Sequence, residues 1–355
     1  MHKRRLLQLL PGLAAAALGL GLGDRGAQAA LDGDAIRRAA DEADLHSLMV
    51  WQRSALLLQH HRRSRDRPIG DWLAREVDFG PDVLHDMRSV SKSVIGLLVG
   101  QAVGRGELRT DEPVLDFFPE LSGLRDGARE RITVAHLLDM SSGLAWTEEV
   151  TTYGTAANDE TRLWSDPAPW RYILDRQVAH TPGTVWNYNG GCTVLLAEIV
   201  QRRAGRPWLE LAREHLFEAL AITRWEWRTG AHGKPLPYAG LRVSAADLLS
   251  MGGLMLEGGR WQARQVVPAD WVQASLEARI GFPSGPGGYS QQWWSGAVQR
   301  DGQSLPTTAA LGNGGQRLVL VPALELAVVF TAGQYNSATI GRSQSALFRQ
   351  IVATL

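Results

Sequence analysis

The chain has 355 residues, 45% of them hydrophobic, with 37 basic and 37 acidic side chains and a net charge of zero when histidine is neutral. That balance excludes the basic field of a nucleic-acid-binding protein, and a single cysteine, Cys192, excludes an internal disulfide framework. The length permits a large core, organised more readily as two lobes than as one layer, and most of the 13 tryptophans are expected to fill it, with a minority lining a cleft.

At the N-terminus, Lys3, Arg4 and Arg5 precede an Ala/Leu/Gly run that ends in Ala27-Gln28-Ala29, the pattern of a secretory signal peptide cleaved after Ala29. Pro11 and several glycines break the run, and no second long apolar stretch follows, so no membrane span is expected after cleavage. Arg4-Arg5 leaves both a Sec and a twin-arginine route open. Cleavage removes four basic groups (Lys3, Arg4, Arg5, Arg25) and Asp24, which leaves 33 basic and 36 acidic side chains, a balance of −3. An exported, periplasmic protein is the expectation.

Further along, "SLMVWQRSALLLQHH" (47–61) has two apolar runs around Gln52-Arg53-Ser54, the signature of a strand pair with a tight turn, and a polar, arginine-rich loop follows. From Val90, apolar residues at Val94, Leu97, Leu98 and Ala102 keep helical spacing. Gly96, Gly100 and Gly104 recur every fourth position, so this helix is expected to be central, buried and closely approached. Residues 107 to about 260 alternate helical patterns with loops. Then come a Gly/Pro-rich loop, "GFPSGPGGYS", two strands around Val321-Pro322-Ala323, and a closing amphipathic helix, "RSQSALFRQIVATL". The order predicts an α+β fold. Early and late strands share one antiparallel sheet, so residues 30–106 and 262–355 form an α/β lobe, and 107–261 form a mainly helical second lobe with a cleft between the two.

The cleft needs chemistry, and three stretches offer it. In "HDMRSVSKSVIGLLVGQAVG", Ser89 and Lys92 stand three apart on one helix face. At the first turn, Ser89 also sits among free N–H groups and the positive end of the helix dipole, which suits an oxyanion. Lys92 acts as a base only if its amine is neutral, which burial or a neighbouring cation would favour. Ser91 and Ser93, on other faces, are expected to bond backbone carbonyls. In "TPGTVWNYNGGCTVLLAEIV", Tyr188 precedes a helix opening near Gly190, where its phenol can pass protons or simply pack as an aromatic. In "ALGNGGQRLVLVP", a glycine cluster at a strand end permits close backbone approach, for an oxyanion hole or as a bulge.

Taken in order, "SVSK", "WNYNGG" and "GNGGQ" resemble the S-x-x-K, Y-x-N and K-T-G elements of class C serine β-lactamases, penicillin-binding proteins and related esterases. "ITVAHLLDMSSGL", "GLRVSAADLLSMGGLMLEGGRW" and "VVPADWV" also resemble that superfamily, in particular its 6-aminohexanoate-dimer hydrolase branch. The resemblance implies a β-lactamase/transpeptidase-like fold and an acyl-serine enzyme acting on a small amide or ester, with Ser89 as nucleophile, Lys92 as its paired base and Tyr188 as catalytic tyrosine. It further implies that the N–H groups of Ser89 and Asn313 form the oxyanion hole, with Gly190, Gly312 and Gly314 among the substrate-binding residues. Two departures stand out. Gly190 occupies the position of the side-chain amide in Y-x-N, and Ala309-Ala310-Leu311 precedes the glycines where K-T-G has its lysine, which argues against efficient β-lactam turnover. In the amide-hydrolase branch, the loop between the first two motifs binds a substrate amine. "LAWTEEVTTYGTAANDE" lies there, with Trp146, Glu148, Glu149 and Tyr153 as substrate-binding candidates or as parts of a solvated loop.

Among other enzymes, a carboxylesterase and a weak β-lactamase or D-amino-acid peptidase remain open, and from another class so does a noncatalytic penicillin-binding sensor. No G-x-S-x-G element supports a Ser-His-Asp triad. His60-His61, His136 and His180 make no metal-ligand spacing, so neither metal nor cofactor is expected.

Overall fold

The computed structural model describes residues 31–355, and the expected signal peptide lies outside them. Asp32 caps helix α1 (Gly33–Glu42) by accepting the Ala35 N–H at 3.0 Å. Strands β1 (Leu45–Gln52) and β2 (Ala55–His61) follow, and their two-residue turn places Arg53 and Ser54 at φ 46° and 67°. The arginine-rich segment, read from sequence as loop, instead pairs as β3 (Arg63–Asp66) with β4 (Arg75–Asp78). Both are short and largely exposed on their polar side chains, so no apolar alternation announced them. Strand β5 (His85–Asp86) leads directly into α2 (Val90–Gly104), the predicted buried helix.

The middle of the chain is mainly helical: α3 (Val134–Leu138), α4 (Asp159–Leu163), α5 (Pro169–Leu174), α6 (Gly190–Ala204) and α7 (Trp208–Ala212). Strands β6 (Glu226–Trp227) and β7 (Leu241–Val243) join β5 in a small sheet of order β5-β7-β6. Helix α8 (Ala245–Leu256) falls within the predicted helical section, yet it packs on the main sheet, where a Cβ on Gly252 would meet Leu318 at 2.9 Å and Ala327 at 3.1 Å. Hairpin β8–β9 (Arg260–Trp261, Arg264–Gln265) and α9 (Ala269–Leu276) complete this stretch. The chain then meanders through β10 (Ile280–Gly281), β11 (Gly288–Ser290), β12 (Trp293–Arg300), β13 (Gln303–Gly312), β14 (Gln316–Val321) and β15 (Leu326–Ala332), and closes on α10 (Ile340–Thr354).

Eight strands form one antiparallel sheet of order β10-β11-β12-β13-β14-β15-β1-β2, so the last strand of the meander pairs with the first strand of the chain. Strand alternation divides the core. Leu48 and Val50, Val319 and Val321, and Val328 and Phe330 face α1 and α10 in one cluster. Met49 and Trp51, Leu318 and Leu320, and Ala327 and Val329 face the other way, towards α2 and α8. With both faces covered, β1 and β15 are buried along their whole length, and β15 is apolar but for Thr331.

The glycine series of α2 marks three close approaches. A Cβ on Gly96 would lie 2.5 Å from the Gln291 carbonyl oxygen, on Gly100 2.5 Å from the Trp271 ring, and on Gly104 2.3 Å from Pro268. Only the first neighbour is backbone; the other two are rings. Gln291 and Gln292 form a left-handed turn (φ 49° and 71°) that wedges against α2, where Ser93 Oγ donates to the Gln292 carbonyl at 2.7 Å. Gly96→Ala is therefore expected to lower unfolding stability by about 1–3 kcal/mol, against the helix-propensity gain of about 1 kcal/mol that alanine brings. Urea unfolding measures this, and a variant as stable as the native protein would show that the contact is loose.

Candidate active site

Ser89 sits at the N-cap of α2, and Arg88 before it holds φ 50°, a conformation uncommon for a residue with a Cβ. The N–H groups of Val90, Ser91 and Lys92 bond back to Met87, Arg88 and Ser89 at 3.1, 2.9 and 3.0 Å. These tight turns use most of the free donors expected of the first helical turn, and leave the Ser89 N–H outside them. Ser91 Oγ donates to the Arg88 carbonyl at 2.6 Å, the backbone role expected of it.

Lys92 is fully buried, and its ammonium has three directed partners: Ser89 Oγ at 3.0 Å, Glu160 Oε2 at 3.1 Å and the Tyr238 carbonyl at 3.1 Å. Glu148 Oε1 lies 3.8 Å away. Burial alone would lower the lysine pKa, but Glu160, Tyr188 and Glu148 together outweigh it and hold the amine well above its ordinary value. The neutral amine considered from sequence therefore does not describe the resting site. The compensating stress falls on Glu160, whose carboxyl burial and the nearby Glu148 push up to about 8.

Gly190 explains how two carboxyl groups fit. A Cβ there would lie 2.6 Å from Glu160 Oε2 and 3.2 Å from Glu148 Oε2, so the side chain missing from Y-x-N leaves the space that these acids fill. The Gly190 N–H donates to Glu148 Oε2 at 2.6 Å, Trp146 Nε1 to the same oxygen at 2.8 Å and the Tyr153 hydroxyl to Oε1 at 3.2 Å. Asn158 ties the loop further, donating to the Glu148 carbonyl at 2.9 Å and capping α4 through Thr161 N–H at 3.2 Å. Trp146, Glu148 and Tyr153 thus form one inward-facing set around Lys92, while Glu149 stays at the surface. Glu160 was not singled out from sequence: it lies 68 residues from Lys92, and its local segment, "ANDE", carries nothing but ordinary helix-start residues.

Tyr188 is buried just before α6, whose N-cap Asn189 accepts the Cys192 N–H at 3.3 Å. Burial pushes its phenol up to about 12, opposed by the Lys92 ammonium and by a hydrogen bond with Ser89. Lys92 Nζ lies 4.9 Å from the ring centroid. Trp294 packs 5.3 Å from Tyr188, and half-buried Trp186 stands 5.5 Å from Trp294 and 4.7 Å from Phe282, which makes an aromatic wall. Opposite, β13 ends in Gly312, where a Cβ would be 2.3 Å from the Met87 carbonyl oxygen, so the strand end abuts the segment entering Ser89. Gly314 and Gly315 turn at φ 93° and 98°. Asn313 locks its side chain to Asn336, donating to Oδ1 and accepting the backbone N–H, both at 2.7 Å.

Sheet, helices and a serine and lysine one turn apart at the head of a buried helix define a β-lactamase/transpeptidase-like protein. Residues 55–347 match the sequence profile of the beta-lactamase family, and the chain belongs to that family. It is 31% identical over 269 residues to the 6-aminohexanoate-dimer hydrolase of Paenarthrobacter ureafaciens, which covers 71% of this chain and 66% of that protein. Esterase EstB of Burkholderia gladioli is 32% identical over 133 residues, 36% of this chain and 34% of the esterase. The matched stretch falls just short of two thirds of the first relative and is about a third of the second. Among solved structures, the class C beta lactamase from Rhodobacter sphaeroides has a TM-score of 0.67 at 18% identity, over 90% of this chain and 99% of that one, a likeness of fold.

Because the folded protein holds Glu160 above the ordinary carboxyl range, its contribution to stability is full below the unfolded pKa and is lost as pH rises through about 8. Stability relative to Glu160→Gln should therefore fall between about pH 5 and 9, by at most roughly 1.4 kcal/mol per pH unit. Urea unfolding of both proteins across that range measures the difference; a constant one would mean that Glu160 is already ionised at pH 5.

Proposed function

We propose that the protein is an exported serine hydrolase that cleaves a small amide or ester through an acyl-Ser89 intermediate. The observation that carries this reading is Ser89 Oγ, 3.0 Å from a buried lysine whose ammonium is itself 3.1 Å from the Glu160 carboxyl group. When Glu160 is ionised, the Lys92 ammonium passes a proton to it and takes the proton of Ser89, while Ser89 Oγ bonds to the substrate carbonyl carbon. The carbonyl becomes an oxyanion, received by the Ser89 and Asn313 N–H groups. Tyr188, protonated at neutral pH, gives its proton to the leaving amine or alkoxide as the carbon–leaving-group bond breaks. A water then attacks the acyl carbon by the same relay in reverse, releasing the acid and restoring Ser89.

Trp186, Phe282 and Trp294 suit an apolar part of the substrate. An acidic loop in this place would favour a cationic amine in the substrate, but Glu148 is committed to Lys92, Trp146, Tyr153 and Gly190. Amide and ester are therefore ranked together. Turnover is favoured over a sensor role, because the polar group missing at Gly190 is supplied by Glu148 and Glu160. Ala310 and Leu311 in place of a carboxylate-binding lysine keep β-lactams below both.

Intact mass and product release after mixing with an activated ester, a penicillin and a linear amino-amide dimer test the reading. A transient adduct on Ser89 is expected with continuing release, lost in Ser89→Ala, and with a rate that rises as pH approaches 8; an adduct that persists through many equivalents of substrate would make the protein a sensor.

Export rests on Lys3-Arg4-Arg5, the apolar run and Ala27-Gln28-Ala29. N-terminal sequencing of protein recovered from the periplasmic fraction should begin at Ala30. A chain recovered only from the cytoplasm and beginning at Met1 would contradict it.

A further inference from the structure

Behind the segment that enters Ser89, three ligand-type side chains from separate elements converge. His46 lies on β1, Asp66 at the end of β3 and His85 on β5, all buried, with one donor atom from each within 4.8 Å of the others. His46 Nδ1 and His85 Nε2 are 2.9 Å apart. We propose that His46, Asp66 and His85 form a binding site for a divalent transition-metal ion of the zinc class, separate from the acyl-transfer site.

Two imidazole nitrogens on a tetrahedral zinc ion stand about 3.3 Å apart, so the histidine pair needs to open by only a few tenths of an ångström to admit one. The surroundings are those that orient metal ligands. The other nitrogen of His85, Nδ1, lies 3.0 Å from the Asp86 carbonyl, which as an N–H donor bond sets the tautomer in which Nε2 is an acceptor; without a metal it accepts the His46 Nδ1–H at 2.9 Å, and a bound ion takes the place of that proton as His46 shifts it to Nε2. The Tyr335 hydroxyl donates to Asp66 Oδ1 at 2.7 Å and orients that carboxylate. Phe79 stacks on His46 at 4.4 Å and stands 5.3 Å from His85, an apolar cover that excludes water. Gly333 makes room: a Cβ there would lie 2.7 Å from His46 Cε1. The nearby cations are already committed, Arg242 to Asp86 at 3.1 Å and Arg62 to Asp44 at 3.0 Å, so neither neutralises Asp66. Two nitrogens and one carboxylate oxygen match zinc, cobalt or nickel better than calcium or magnesium.

The site has a bearing on the active site through the chain it would clamp. His85 is four residues before Ser89, and Tyr335, which holds Asp66, also packs under Gly314 of the glycine turn, where a Cβ would be 2.4 Å from its ring. A bound ion therefore ties the entry to the nucleophile to the turn that carries Asn313.

Cobalt(II) is the direct probe. Full-length mature protein stripped with a chelator and dialysed is expected to take up one equivalent of Co2+ with visible d–d absorption of a tetrahedral nitrogen and oxygen site, displaced by Zn2+. Zinc at a hundredfold excess over Kd should raise Tm by about 4 °C. Asp66→Asn and His46→Gln should each lose the absorption and the Tm shift while circular dichroism stays native. Native protein that develops no d–d band and no Tm shift would overturn the proposal, independently of whether either variant folds. So would uptake that survives in both variants, which would place the ion on other histidines.

Discussion

The buried ammonium of Lys92 is the constraint around which this molecule is organised. An unpaired charge at that depth would cost many kcal/mol, so it survives only because three acceptors converge on it: Ser89 one turn away on the same helix, and Glu160 and the Tyr238 carbonyl from distant parts of the chain. Each acceptor is itself held. Ser89 is fixed by the head of α2, the Tyr238 segment lies three residues before β7, and Glu160 is held at the start of α4 by Asn158. The same lysine sets the protonation of its neighbours, opposing the rise of the Tyr188 phenol and sharing with Glu148 the control of Glu160. A charge that must be satisfied thereby links Ser89 to Glu160 through a single ammonium, the path of the proposed proton relay.

The fold delivers those acceptors by interrupting one sheet. β1 pairs with β15, so the first and last strands lie side by side and the helical stretch between them is bound to return to its starting edge. The end of β13 then abuts Met87 and Arg88, possible because Gly312 has no Cβ. Helix α2 carries Ser89 at one end while its glycines admit Gln291, Trp271 and Pro268 along its length, which leaves the helix little freedom to shift. Rigidity of the helix is what keeps a 3.0 Å contact between Ser89 and Lys92 meaningful for chemistry.

Legibility in the sequence tracked the range of the interaction. Hairpin β1–β2, helix α2, the start of α6 at Gly190 and α10 all rest on local periodicity or turn residues, and their existence followed from the text of the chain. The arginine-rich β3–β4 pair did not, because its strands are short and polar, and neither did the docking of α8 on the sheet, because an apolar helix does not name its partner. At the site, motifs in register pointed to Ser89, Lys92 and Tyr188, and the structure brings the three side chains together. Glu148 was recognised as notable, but its inward direction depends on Trp146, Tyr153 and Gly190 meeting it in space. The His46, Asp66 and His85 cluster joins three elements with no common spacing, and a search for metal-ligand periodicity passes over it.

By itself, the sequence determined which side chains can share a helix face, where strands alternate and where glycine permits a turn, because these depend on backbone periods of 3.6 and 2 residues. It also established that position 190 carries no side-chain amide and that no lysine stands directly before the glycine turn. The tertiary structure decided the charge state of the lysine. Proton affinity is fixed by desolvation and by distances through space, and residues 68 and 146 positions away supply two of the three partners that keep Lys92 an ammonium.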